Sequence, residues 1–276
     1  MDRIICVVGP TASGKTKLAV HLAKAYDGEV VSCDSMQIYK HMDIGTAKPT
    51  PEETEGVRHH LIDIIEPGED FSVGKYVQLA DACVQDILSR GRTVIIAGGT
   101  GLYVDSLISG RTFAPVPRTG KREALEARMR EAGGEAMLAA LRAVDPEAAR
   151  RLHPADEKRI IRALEVYEET GKTITQHNLE TQAIPPRYRP VWIGLDYADR
   201  AVLYRRIDLR VDLMLQSGLL DEIRALLALG VSPAATAMQA IGYKEFFGAL
   251  DGSCTLEEAA ELCKQHSRNY AKRQLT

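Results

Sequence analysis

Eight residues near the amino terminus carry the first chemistry in the chain: Gly9-Pro10-Thr11-Ala12-Ser13-Gly14-Lys15-Thr16. Glycines spaced this way let a backbone curl until successive amide N–H groups converge on phosphate oxygens. Lys15 adds a point charge, and Thr16 offers a hydroxyl to Mg2+. A merely glycine-rich turn is the competing reading, and the flanks argue against it. Arg3 to Val8 is a β-branched run, and from Lys15 to Tyr26 the residues Leu18, Ala19, Leu22 and Ala23 fall on one helical face. A carboxylate comes next. Asp34 follows a second apolar run in the string Val30-Val31-Ser32-Cys33-Asp34-Ser35-Met36-Gln37-Ile38-Tyr39. A loop at the carboxyl end of a strand, beside the phosphate site, makes it a candidate base for an acceptor nucleophile. From spacing alone, an ordinary turn or capping aspartate fits equally well.

The elements that must position these groups read as an α/β sheet. Strands are predicted at Arg3 to Val8, Glu29 to Ser32, an apolar run at His60 to Ile65, and Thr93 to Ala97, the last ending in Gly98-Gly99-Thr100-Gly101. Helices are predicted at Lys15 to Tyr26 and Val73 to Ser89. Alternation of this kind gives a mainly parallel sheet flanked by helices, with ligands at the carboxyl ends of the strands. Pro115 and Pro117 then open a charged, alanine-rich helical block, and Pro185, Pro186 and Pro190 close it before a β-type run at Val191 to Leu195. The block reads as an all-α insertion. It divides the chain into a core of residues 1–113 and 190–276 and an insertion of residues 114–189. Helices are expected at about Asp199 to Gln216, Leu219 to Leu229, Ala234 to Leu250 and Thr255 to the end. The last opens on a capping box, Thr255 with Glu258.

Bulk properties exclude several classes. At 276 residues and 45% hydrophobic the chain can bury a full core. No stretch reaches the ~18 apolar residues of a membrane span, so a cytoplasmic location is expected, with no membrane and no obligatory protein partner. Five scattered cysteines without a C-x-x-C pair suggest reduced thiols, and adjacent His59 and His60 diverge, so no metal is tied to histidine. A net charge of −3 does not point to nucleic acid. Locally, however, Arg150, Arg151, Lys158, Arg159 and Arg162 cluster, and Lys264, Arg268, Lys272 and Arg273 recur down the last helix. Solvated helix surfaces are the alternative for both runs. A regulatory GTPase needs D-x-x-G and N-K-x-D, which are absent from the chain. A motor ATPase needs an acid closing an apolar strand, for which only Asp63 could stand in. A small-molecule kinase, or another group-transfer enzyme using the loop for a different phosphate, remains.

Several longer strings narrow this further. GPTASGKT, DSMQIYKHMDIGTAKPT from Asp34 to Thr50, GGTGLYVDSL from Gly98 to Leu107, HPADEKRIIRALEVYEETGK from His153 to Lys172, GYKE from Gly242 to Glu245 and a final AKRQLT occur in order. Together they closely resemble the tRNA dimethylallyltransferase, or tRNA isopentenyltransferase, family over nearly the whole chain. The resemblance implies a P-loop NTPase-like core and transfer of a dimethylallyl group from dimethylallyl diphosphate to N6 of adenosine at tRNA position 37. The loop would then grip a diphosphate leaving group rather than ATP. It further implies that the helical insertion meets the anticodon stem-loop and that Asp34 is the base.

On that reading Gly9 through Thr16, with Arg206 and Arg210 one helical turn apart, bind the diphosphate. Arg210 is the favoured contact, and Thr16 is placed on Mg2+. As an alternative, either arginine pairs with Asp208 or Asp212 at the surface. Asp34, Ser35, Met36, Gln37 and Thr100 are implied to line the pocket for an extruded adenosine. Met36 and Tyr39 could pack on the base, although an apolar residue in such a loop is more often core. Lys158, Arg159, Arg162, Gln239, Gly242, Tyr243, Lys244, Lys272, Arg273 and Gln274 are implied tRNA contacts. The family pattern continues past Thr276 into a tryptophan and an arginine, so a longer natural protein is expected. A small-molecule kinase is the second reading and a non-catalytic RNA-binding protein the third.

Overall fold

The structure, a computed structural model, describes residues 3–111, 113 and 119–275. Pro115, Pro117 and the expected border at residue 114 lie outside the described residues. Five parallel strands form one sheet: β1 (Arg3–Val8), β2 (Gly28–Ser32), β3 (His59–His60), β4 (Thr93–Ala97) and β5 (Arg189–Gly194), in the order β3-β2-β4-β1-β5. Ile5 stands opposite both Ile95 and Val191, so β1 is an interior strand, flanked by β4 and the edge strand β5, both distant in sequence. Buried β-branched residues (Val7, Val30, Val31, Ile95 and Ile96) fill these strands, as expected where helices cover a parallel sheet.

Between the strands run α1 (Lys15–Ala25), the short α2 (Pro51–Thr54), α3 (Val73–Ser89) and α4 (Gly101–Ser109). α1 buries Ala19 and Ala23 against Val7, Val30 and Ile95, small residues that let it approach the sheet closely. The chain divides into two compact units, Met1–Ile108 with Arg187–Thr276, and Ser109–Pro186. Among its described residues the second unit contains only helices and turns: α5 (Lys121–Val144, broken at Gly133), α6 (Pro146–Arg150), α7 (Glu157–Thr170) and α8 (Ile174–Gln182). It has its own core of Leu125, Leu138, Leu141, Ile160 and Leu164.

The first unit is completed by α9 (Arg200–Gln216), α10 (Leu219–Ala228), α11 (Phe247–Asp251) and α12 (Leu256–Gln274). The Thr255–Glu258 capping box is formed: the Thr255 hydroxyl accepts from the Glu258 amide at 3.1 Å, and the Glu258 carboxylate accepts from the Thr255 amide at 2.8 Å.

Two expected elements differ. The apolar run His60 to Ile65 is a strand only at His59–His60. Leu61 and Asp63 take left-handed φ values of 63° and 56°, which end the ladder, and Ile65 regains only an isolated bridge to Tyr39. The helix expected at Ala234 to Leu250 is instead two 3-10 turns, Ala237–Gln239 and Lys244–Phe246, before α11. Ala240 is extended and Gly242 sits at φ 101°, with its amide donated to the buried Glu245 at 2.9 Å. That break lets Tyr243 and Phe246 both reach the core, where they pack with Ile38, Tyr39, Met42 and Leu226.

Candidate active site

The loops that leave β1, β2 and β4 at their carboxyl ends carry the residues singled out above, because parallel strands deliver successive loops to one edge. Residues 9–14 join β1 to α1. α1 begins at Lys15 with no side-chain cap, so the first-turn amides keep their donors for a ligand. Ser13 Oγ is buried without a partner, a second unsatisfied group at the same spot. Lys15 Nζ folds back to donate to the Pro10 carbonyl at 2.6 Å. Burial lowers the Lys15 pKa to about 8; Asp34 draws it back up and Arg210 pushes it further down.

Arg206 and Arg210 face this loop from α9. Arg206 Nε donates to the Ala12 carbonyl at 3.0 Å, and Arg210 donates to the Thr11 hydroxyl at 3.3 Å. Burial also lowers the pKa of Arg210. The surface pairing weighed above is not formed, since Asp208 is taken by Arg268 at 2.5 Å and Asp212 by Lys264 at 2.8 Å. Lys15, Arg206 and Arg210 therefore converge on the glycine loop, and Asp34 lines the same cavity.

Asp34 follows β2. Its Oδ1 accepts from the amides of Met36 at 2.8 Å and Gln37 at 3.3 Å, so it also serves as the turn aspartate that the spacing allowed. The Gln37 carboxamide donates to the carbonyls of Thr46 and Ala47 at 3.3 and 3.1 Å. Ser35 donates its amide to Thr100 Oγ1 at 3.0 Å. Tyr39 is core, and Met36 packs partly buried against the same cluster. Asp63 does not act as a strand-closing acid beside the phosphate loop. Its carboxylate pairs with Lys48, whose ammonium also meets Asp43 at 2.5 Å.

Two cavities occupy this edge of the first unit. The larger, about 770 Å3, is lined by Thr11 to Lys17, Asp34, Gly98, Gly99, Arg206 and Arg210, among others. The smaller, about 360 Å3, is lined by Ser35, Met36, Gln239, Gly242, Lys244 and Arg273, among others. Thr11, Asp34, Thr46, Arg210, Met214 and Tyr270 belong to both. Asp34 and Arg210 thus stand where the cavity around the glycine loop adjoins the second one.

The remaining expected contacts divide. Gln239 donates its side chain to the Pro233 carbonyl at 2.8 Å. Tyr243 is fully buried, with its hydroxyl on Glu222 at 2.7 Å, so its ring packs the core and is not exposed to RNA. Lys272 lies 6.0 Å over the Tyr204 ring and Arg273 5.7 Å over Tyr270. Both amide ends of Gln274 are engaged within the protein. Lys158, Arg159 and Arg162 lie on α7 of the helical unit, where Arg159 meets Asp156 at 3.3 Å and Arg162 donates to Glu165 at 2.8 Å.

Sequence reasoning passed over Tyr270 and Glu222. Tyr270 had a signal: Cys263, Ser267, Tyr270 and Gln274 recur at helical spacing on one face of α12, ahead of the Arg273-Gln274 pair. Glu222 had none, because its partners Asp43, Ile44 and Gly45 lie far away in the chain; it accepts their amides at 2.7, 2.7 and 3.0 Å.

A glycine-rich loop between an interior parallel strand and an uncapped helix that opens on a lysine, faced by two arginines, defines a P-loop protein of the group-transfer kind. The profile of the IPP transferase family matches residues 37–276, and the chain belongs to that family. It is 51% identical to a tRNA dimethylallyltransferase of Geobacillus thermodenitrificans, over 100% of this chain and 87% of the relative. Among solved structures, it is similar to the full-length tRNA isopentenylpyrophosphate transferase of Bacillus halodurans (45% identity, TM-score 0.73), covering 100% of this chain and 86% of that one. It is also similar to a eukaryotic dimethylallyltransferase captured acting on tRNA (31% identity, TM-score 0.86), covering 100% of this chain and 69% of that one. The protein is accordingly an enzyme of the prenyltransferase class. Among the described residues no helix is long and apolar enough to cross a membrane.

Proposed function

We propose that this protein transfers a dimethylallyl group from dimethylallyl diphosphate to N6 of adenosine at position 37 of tRNA, in the anticodon stem-loop, and releases diphosphate. The observation that carries the reading is the meeting of the two cavities at Thr11, Asp34 and Arg210. A donor held by the phosphate loop and an acceptor entering from the other side would meet at a carboxylate. A kinase would also place an acceptor beside the loop, so the cavities alone do not separate the two readings; the family does not favour the kinase.

The C–O bond between the allylic carbon and diphosphate breaks as N6 bonds to that carbon, and the N6 proton passes to Asp34. Adenine's exocyclic amine is a weak nucleophile, so a carboxylate that takes this proton lowers the barrier. Asp34 Oδ1 is occupied by the Met36 and Gln37 amides, which leaves Oδ2 for the proton. Negative charge gathers on the departing oxygen, where the first-turn amides of α1, Lys15, Arg206 and Arg210 stabilise it. Lys15 leaves the Pro10 carbonyl to do so.

Thr16 lines the larger cavity, where its hydroxyl would hold Mg2+ together with diphosphate oxygens. Among the described residues no group of three or more His, Cys, Asp and Glu side chains gathers. A Thr16 hydroxyl with phosphate oxygens and water is nonetheless the sparse protein donor set Mg2+ commonly accepts. When bound, it neutralises part of the diphosphate charge. Ser35, Met36, Gln37 and Thr100 line the approach to Asp34. Gln239, Gly242, Lys244, Lys272 and Arg273, with Lys158, Arg159 and Arg162 of the helical unit, supply RNA contacts, whose cationic members weaken with salt.

Incubation with labelled dimethylallyl diphosphate and unmodified tRNA, and separately with labelled ATP and candidate acceptors, tests the proposal. Label on tRNA without ATP supports it; phosphorylated acceptor with no label on tRNA contradicts it.

A further inference from the structure

The end of α12 joins the two halves of the site. Gln274 is half-buried and uses both ends of its carboxamide: Oε1 accepts from the Thr11 amide at 2.8 Å, and Nε2 donates to the Gly99 carbonyl at 2.9 Å. Thr11 belongs to the loop after β1 and Gly99 to the loop after β4, two neighbouring strands. The connection continues through Thr100. Its amide donates to the Cys33 carbonyl at 3.1 Å, and its hydroxyl oxygen accepts from the Ser35 amide at 3.0 Å. The β4 loop thus grips the backbone on both sides of Asp34.

Gly99 records the same arrangement. A Cβ added there would fall far inside contact distance of Gln274 Nε2, while the next non-Gln274 atom, Lys15 Nζ, stands at 4.0 Å. Gly99 is not among the residues of positive φ, so no left-handed backbone demands glycine; the carboxamide occupies the space a side chain would need.

We propose that Gln274 is a positioning residue that sets the phosphate loop in register with the Asp34 loop, through Thr11 on one side and Gly99-Thr100 on the other. This departs from the expectation that Gln274 contacts tRNA. What the register is for rests on the prenyl-transfer reading; the clamp itself is a statement about Thr11 and Gly99. A loop ordered before its anion arrives binds that anion more tightly than one that must order on binding. Transfer also needs the reacting atoms within about 3–3.5 Å, so slack between the two loops costs rate.

Wild type, Gln274→Ala, Gly99→Ala and the double variant distinguish this role. Two quantities are read: hydrogen exchange at the Thr11 amide in the free protein, and calorimetric affinity for inorganic diphosphate with Mg2+, with circular dichroism as the fold control. Gln274→Ala is expected to speed Thr11 exchange and weaken diphosphate binding, each about tenfold, the typical consequence of one lost hydrogen bond. Gly99→Ala displaces the carboxamide and should do the same. In the Gln274→Ala background the added methyl group meets open space, so the double variant should match the single one instead of summing. Unchanged Thr11 exchange in Gln274→Ala, or additive effects in the double variant, overturns the proposal. Diphosphate affinity untouched in Gln274→Ala, where wild type binds it, also overturns it. Exchange is read without ligand, so it decides the clamp even if wild type binds no diphosphate, a result that counts against the prenyl-transfer reading alone.

Discussion

Arg210 donates to the Thr11 hydroxyl at 3.3 Å, and both residues line each of the two cavities that also share Asp34. A cation from the returning part of the core is thereby fixed to the glycine loop beside Asp34, the proposed proton acceptor. The consequences can be measured separately.

Asp34→Asn keeps the size of the side chain and an oxygen for the Met36 and Gln37 amides, but removes the proton acceptor. Prenyl transfer should fall by about 10²–10⁴-fold, the usual contribution of a general base. Diphosphate and tRNA affinities should stay within several-fold of wild type. Single-turnover kinetics with saturating donor separates the two effects.

Lys15 sets a pH dependence whose sign follows from its environment. Burial holds its pKa at about 8 in the free protein, and a bound anion raises it again. Below pH 8 the ammonium is already present. Above it, diphosphate binding takes up a proton and weakens by up to about tenfold per pH unit. Calorimetry in buffers of different ionisation enthalpy should show that uptake in wild type and lose it in Lys15→Met.

Glu222 reaches across the fold to hold the segment that follows Asp34. Its two oxygens accept from the amides of Asp43, Ile44 and Gly45 and from Tyr243, which fixes the loop that in turn receives Gln37. Glu222→Gln turns a donor toward these donors. About a tenfold loss in kcat/KM for tRNA is expected, with diphosphate affinity retained, because the phosphate loop does not depend on this contact.

The parts of this site that were legible in the sequence are those set by local chemistry. The glycine string, the strand before it and the helix after it each have a nearest-neighbour signature, and so does the Thr255–Glu258 box. Arg206 and Arg210 could be placed on one helical face, yet Asp208 and Asp212 on the same helix left their partners undecided until Arg268 and Lys264 of α12 were seen to take the acids. The 3-10 turns around Gly242 escaped because an apolar, alanine-containing run reads as helix. What breaks it is Glu245 capturing the Gly242 amide while Tyr243 and Phe246 enter a distant core. Gln274 was legible as a polar residue at a helix end, and its double attachment was not, since both partners lie more than a hundred residues away in the chain.

At the amino-terminal end of the sheet, Glu29 makes a stability prediction independent of catalysis. It is 1% exposed and accepts from Arg90, from Arg92 at 2.6 Å and from His60 at 2.7 Å. The Arg90 guanidinium holds its carboxyl far below the usual range against the opposing effect of burial. A depressed carboxylate contributes stability above its unfolded value and loses it as pH falls through that value toward its folded one, so urea midpoints should hold from pH 7 to about pH 5 and drop progressively below it. Glu29→Ala should destabilise the protein by about 3 kcal/mol, the low end for a broken buried pair because both arginines keep some solvent. The acid-side drop should shrink in that variant.

The most direct test of the account is mass spectrometry of nuclease-digested tRNA after incubation with wild-type protein, dimethylallyl diphosphate and Mg2+, without ATP. The account predicts one five-carbon unit on the adenosine beside the anticodon, and its absence from tRNA treated with Asp34→Asn. A wild-type reaction that adds no such unit to any tRNA, or an Asp34→Asn protein that adds it at the wild-type rate, would contradict it.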